Sequence, residues 1–259
     1  MTDSATAKTV LIVLAHPDNR SFNGSWAAAS AGAAAALGHR VLYSDLCAMN
    51  FDAVESARHY HTHSADQVFD PLKAQEHCTA ESLPLVVAAE IDKVQAADWI
   101  IFHFPLWWFA PPAVLKGWFD RVFVHGQLHT VEQRFDHGLC ADKKALCCVS
   151  TGANKPECAF HGKEGDIQML LWPTAYTLRY LGFSVLEHEV IHGVHGYFEE
   201  HEQQRLESRL QATLQQQKSL ISQFDTRPAL PFNADTDFDE YGRLKNTSPT
   251  LSPFIRHSK

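Results

Sequence analysis

The chain has 259 residues, 45% of them hydrophobic, and a formal net charge of −8. That acidity, without any basic block, argues against nucleic acid or an anionic membrane as partner, and no run approaches the roughly 18 consecutive apolar residues of a membrane span. The six cysteines (Cys47, Cys78, Cys140, Cys147, Cys148, Cys158) form no CxxC pair and read as reduced, mostly buried thiols of a cytoplasmic protein.

In chain order, Val10–Leu14 is a continuous apolar run, the mark of a strand buried on both faces. The alanine-rich stretch from Phe22 to Leu37 predicts a helix closed by Gly38, and His39 to Asp45 a second strand. Met49 to Thr79 has no regular period and reads as a long surface excursion. Within it His59, His61 and His63 have a metal-grip spacing, but no partner pattern accompanies them, and no metal is assigned.

Ser82 to Ala97 predicts an amphipathic helix, Trp99 to Phe104 a third strand, and Pro112 to Val124 a helix entered through proline. Lys144 to Ser150 predicts a fourth strand, Ile167 to Leu181 a helix despite Pro173, Phe183 to Val190 a fifth strand, and Glu199 to Phe224 one long charged helix. This alternation predicts a doubly wound α/β fold with a five-stranded parallel sheet and helices on both faces. Residues 1–224 form the body; residues 225–259, proline-bearing and acidic, form an extended tail laid over the body or a partner subunit.

Ligands of such sheets sit at the carboxyl ends of the strands, which singles out three loops. Ala15 to Asn23 lacks GxGxxG but brings His16, Arg20, Ser21 and Asn23 to a helix N-terminus, where they serve either as a helix cap or as a phosphate grip. Pro105 to Pro112 packs Trp107, Trp108 and Phe109 into a turn, either a sealed corner or the wall of a pocket for a flat ring. Thr151 to Gly165 opens with small residues that let a ligand approach the backbone, and the Thr151 hydroxyl is a potential donor; a tight turn needing only Gly152 is the other reading. Together the three loops favour a ligand site.

The segments LIVLAHPDNRSFN (11–23), FHFPLWWFAPPAVLKGWFDRVF (102–123), STGA (150–153) and LLWPTAYTLRYLGFSVLE (170–187) resemble the flavin-dependent NAD(P)H:quinone oxidoreductases of the DT-diaphorase type over about residues 9 to 190. The resemblance implies a flavodoxin-like fold, FAD rather than FMN, NADPH or NADH as reductant, a quinone-like acceptor, and a homodimer with sites at the interface. It also implies that His16, Arg20, Ser21, Phe22 and Asn23, with Ser25 beside them, hold the pyrophosphate and ribityl chain. Pro105, Leu106, Trp107, Trp108 and Phe109 line the isoalloxazine, and Ser150, Thr151, Gly152 and Ala153 meet its pyrimidine edge. Trp108, Phe109, His129 and Tyr180 match the walls of the substrate cavity, His129 standing where animal members carry tyrosine.

One departure bears on mechanism. The tyrosine and histidine that animal members use to stabilise charge on the reduced ring fall, without gaps, on Cys158 and Glu164. A shift of three residues brings His161 into the histidine's place, and His161 is the preferred candidate. The activity implied is two-electron, ping-pong quinone reduction. Azo- or nitro-compound reduction at the same site, and a role as ancillary subunit of a membrane transporter, are the alternatives.

Overall fold

A computed structural model describes residues 6–60, 63–64, 66–76, 78 and 82–257. Its strands are β1 (Thr9–Leu14), β2 (Arg40–Asp45), β3 (Trp99–Pro105), β4 (Lys144–Ser150), β5 (Ser184–Val185) and β6 (Glu189–Ile191). Its helices are α1 (Phe22–Ala36), α2 (Pro71–Glu76), α3 (Leu85–Ala96), α4 (Ala113–Val122), α5 (Ile167–Tyr180), α6 (Glu200–Gln215) and α7 (Gln217–Ser222). The sheet order is β2-β1-β3-β4-β5, all parallel, with β6 also pairing β4.

Side-chain alternation along the strands builds two cores. Ile100, Phe102 and Phe104 of β3 point to the face covered by α3, α4 and α5, where Val87, Trp118 and Leu178 meet them. Trp99 and Ile101 point to the other face, with Trp26 of α1 and Leu220 and Ile221 of α7. His103 belongs by register to this second face, where its ring meets Trp26 edge-on at 5.4 Å.

Three expectations are revised. The fifth strand is two short pieces: Ser184 pairs Lys144, an offset of 40 residues, whereas Glu189 pairs Cys148, an offset of 41. One extra residue is thus accommodated between them, a bulge. There the tail joins in, Leu186 pairing Ala229 antiparallel and Glu187 N–H donating to the Pro228 carbonyl at 3.0 Å. The long C-terminal helix is α6 and α7, followed by a 3-10 turn over Phe224–Thr226. Near the break, the buried Gln217 side chain donates to the Thr213 carbonyl at 2.8 Å and accepts from Ser30 at 2.9 Å, intruding on the helical ladder. The excursion after Met49 is not purely superficial, for Phe51 and Tyr60 are core residues, α2 lies within it, and Arg121 donates to the Asp52 carbonyl at 2.5 Å.

The tail packs aromatic on aromatic against α5: Phe254 stacks on Trp172 at 5.2 Å and Trp172 on Tyr176 at 5.0 Å. Asp136 joins the tail to the body, pairing with Arg179 and accepting from Asp235 N–H at 2.6 Å. His61 lies outside the described residues; His59 bonds the Val54 carbonyl at 3.0 Å and His63 meets Phe69 edge-on. Among the described residues no three His, Cys, Asp or Glu side chains form a metal-binding group, and no helix is long and apolar enough to cross a membrane.

Candidate active site

The three loops converge at the carboxyl edge of β1, β3 and β4. In the first, Ser21 caps α1, its Oγ accepting from Gly24 N–H at 3.1 Å. Gly24 is required there, because a Cβ would lie 2.0 Å from the Asn19 carbonyl oxygen. The cap leaves Phe22 and Asn23 with unpaired amides at the positive end of a 15-residue helix. Arg20 forms a two-point pair with Asp18, Nε to Oδ1 at 3.0 Å and Nη2 to Oδ2 at 2.7 Å, and that bonding holds the Asp18 carboxyl down to about 2. His16 Nδ1 accepts from Asp18 N–H at 3.0 Å, and its ring lies 5.7 Å from that of Trp107. Phe22 packs on Trp26 at 5.2 Å, while Ser25 donates its amide to the Ser21 carbonyl at 2.9 Å within the first turn.

The second loop is a reverse turn closed by reciprocal bonds between Trp107 and Ala110, at 2.9 and 3.1 Å. Trp108 and Phe109 occupy its centre with φ of 49° and 62°, the left-handed signature of a type I′ turn that normally takes Asn-Gly. Two bulky residues there are strained by about 1–3 kcal/mol each. Their rings are not sealed away: Trp108 is 94% exposed and Phe109 52%. The buried-corner reading of this loop is therefore set aside for this chain.

In the third loop, the Thr151 hydroxyl donates to the Ala153 carbonyl at 2.8 Å and contacts His192 Nδ1 at 3.0 Å, with Cys158 Sγ 4.0 Å away. Its proton is thus committed internally, contrary to the expected role as ligand donor. The donors that remain are the Gly152 and Ala153 amides, neither of which has a partner. Burial raises the Cys158 thiol above its ordinary value, so it is held as a neutral thiol.

A cleft of about 370 Å³ lies between Pro105, Leu106, Trp107 and Trp108 on one side and Ser150, Thr151, Gly152 and Val194 on the other. A second, of about 250 Å³, shares Leu106, Trp108, Thr151 and Gly152 and adds Phe109, Ala153, Cys158 and Glu164. Glu164 therefore stands in the cleft, whereas His161 is solvent-exposed and lines neither part, against the preference for His161.

His129 and Tyr180 are not brought to Trp108 and Phe109 in one chain. Their rings meet edge-on at 5.4 Å in a separate apolar cleft of about 590 Å³ with Phe119, Trp172 and Phe254. Burial and the neighbouring His125 lower the His129 pKa. His192 and Val194 are site residues that the sequence reading left unassigned. The only signal for them in the sequence is the pair His192 and His195 just past the last strand.

A parallel sheet with its cleft at the strand ends, flanked by a capped helix and a strained aromatic turn, defines a flavodoxin-like α/β protein, and residues 8–216 match the flavodoxin-like fold family. The chain is 37% identical over 190 residues to NAD(P)H dehydrogenase [quinone] 1 of Rattus norvegicus, covering 72% of this chain and 69% of that protein. It is 39% identical over 186 residues to the ribosyldihydronicotinamide dehydrogenase [quinone] of Pongo abelii, covering 71% and 80%. Among solved structures, an NAD(P)H:quinone oxidoreductase from Methanothermobacter marburgensis superposes with a TM-score of 0.63 at 25% identity, covering 83% of this chain and all of that one. The chain belongs to the NAD(P)H:quinone oxidoreductase family of flavodoxin-like enzymes.

Proposed function

We propose that the chain reduces quinones with NAD(P)H through a flavin, FAD in preference to FMN, seated in the cleft between the Trp107–Phe109 turn and the Ser150–Ala153 loop. The observation that carries this reading is the pairing of exposed, strained aromatic faces with unpartnered amides across one cleft. Such faces suit a flat ring, and such amides suit its oxygen-bearing edge. The residues present fit the group: free α1 amides and Arg20 suit a phosphate, and Gly152 and Ala153 suit a ring carbonyl.

When bound, flavin supplies the two-electron carrier between reduced nicotinamide and acceptor. The chain's part is to bind, orient and exclude water. Trp107, Trp108 and Phe109 would hold the ring plane, Leu106 lines the cleft beside them, and Gly152 and Ala153 would offer N–H groups to developing negative charge. Glu164 in its ionised form adds no positive charge there. The Trp108–Phe109 turn and the His129–Tyr180 cleft belong to one substrate cavity only if a second copy supplies one of them, so the working unit in this reading is a homodimer. Nicotinamide and acceptor then use the same opening in turn, which gives ping-pong kinetics. Reduced thiols and the acidic surface suit a cytoplasmic setting.

The test is spectroscopic and hydrodynamic. Purified protein should be yellow, bleach on adding NADPH or NADH, recover colour on adding a quinone, and sediment as a dimer. Colourless protein that takes up neither FAD nor FMN overturns the flavin reading; initial-rate lines that intersect rather than run parallel overturn ping-pong turnover.

A further inference from the structure

We propose that His192 is a positioning residue: by holding the Thr151 hydroxyl it fixes the third loop so that the Gly152 and Ala153 amides face the cleft. The role attributed to those amides rests on the flavin reading above.

The Thr151 hydroxyl gives its one proton to the Ala153 carbonyl at 2.8 Å, which makes its oxygen an acceptor toward His192. His192 must then carry its proton on Nδ1 and donate it at 3.0 Å. Burial, with Lys155 and Arg209 nearby, lowers the His192 pKa, in keeping with a neutral ring of a single tautomer. Doubly protonated imidazole would still carry the Nδ1 proton, so the contact does not itself depend on charge.

The backbone around this contact is a continuous ladder. Thr151 N–H donates to the Ile191 carbonyl at 2.9 Å, Gly193 N–H to Ala153 at 2.9 Å and Val194 N–H to Thr151 at 2.9 Å. Gly193 adopts φ of +67°, which lets the chain turn after His192 and complete the last two bonds. Arg209 of α6 braces the same segment, its Nη2 donating to the His192 carbonyl at 2.6 Å. The loop is therefore held to the end of β6 and the segment after it by three backbone bonds and by the imidazole, the one side-chain contact among them, while α6 braces that segment through Arg209; in this proposal the imidazole contact is what fixes how the Gly152 and Ala153 amides are aimed.

Three substitutions test it: H192L removes the donor, H192N places an amide nitrogen near the Nδ1 position, and H192Q places one near Nε2. Two readouts apply, amide hydrogen exchange at Gly193 and Val194 in flavin-free protein and FAD affinity by fluorescence titration. H192L should speed exchange at both amides and weaken FAD about tenfold, the scale of one lost hydrogen bond. H192N should recover both properties and H192Q neither. Nitrogen NMR of the flavin-free wild type should find His192 protonated on Nδ1. Unchanged exchange in H192L, or H192Q matching H192N, overturns the proposal; if H192L does not fold, the contrast of H192N with H192Q decides. Failure of the wild type to bind any flavin sinks the flavin reading alone, because exchange and tautomer still judge the pin.

Discussion

Asn23 Nδ2 donates to Ser150 Oγ at 2.7 Å, tying the first turn of α1 to the end of β4 across 127 residues of sequence. Both residues are buried, and the bond fixes the distance between the phosphate-suited helix end and the third loop. The Asn23 carbonyl oxygen beside it has no partner. N23A should cost about 1–3 kcal/mol, since it leaves a buried hydroxyl unsatisfied, and should lower Tm by roughly 2–4 °C per kcal/mol. It should also weaken FAD. Calorimetry and titration check both, and a variant as stable as the wild type would show the bond to be idle.

The Trp108–Phe109 turn carries backbone strain at both of its central residues. Replacing the pair by Asn-Gly, the residues a type I′ turn prefers, should stabilise the fold by about 2–6 kcal/mol. The same change should abolish quinone reduction, because both ring faces are gone. Denaturant unfolding and steady-state kinetics measure the two halves, and a destabilised double variant would contradict the strain argument.

Asp18 competes with any phosphate for Arg20, since both guanidinium contacts go to its carboxylate. D18N should therefore tighten FAD severalfold and R20Q loosen it, with a smaller effect on riboflavin, which has no phosphate. Equal effects of R20Q on FAD and riboflavin would remove Arg20 from the phosphate grip.

His103 is fully buried, neither ring nitrogen has a partner, and burial lowers its pKa to about 3 from the ordinary 6.5. As pH falls below 6.5 the unfolded chain takes up a proton that the folded chain refuses. Stability is therefore complete above that pH and declines below it, by up to about 1.4 kcal/mol per unit, until the folded ring also titrates near 3. Partly buried His188, lowered to about 4 by desolvation, adds to the same decline. H103L should flatten the profile between pH 6.5 and 4 and be neutral or stabilising at pH 7. Denaturant midpoints at pH 7 and pH 5 decide it; an unchanged slope in H103L would clear His103 of the effect.

The periodicity of Val10–Leu14 and Trp99–Phe104, the capping chemistry at Ser21 and the aromatic run at Trp107 were legible because each is a local property of neighbouring residues. The α/β alternation followed from the same local signals. Other features depend on residues far apart in the chain, and no local pattern carries them. The bulge that splits the last strand arises from a one-residue mismatch with β4, and the left-handed turn under Trp108 contradicts the preferences of its own residues. Glu164 rather than His161 entered the cleft because the loop's internal bonds, including Glu164 N–H to the Glu157 carbonyl at 3.0 Å, set its path. The Thr151 hydroxyl gives its proton to the Ala153 carbonyl and lies beside His192, 41 residues away. Composition and spacing thus determined the sheet and the three loops at its edge. Only tertiary packing decided which atoms those loops leave free, because a donor is available only if nothing brought near by the fold has already taken it.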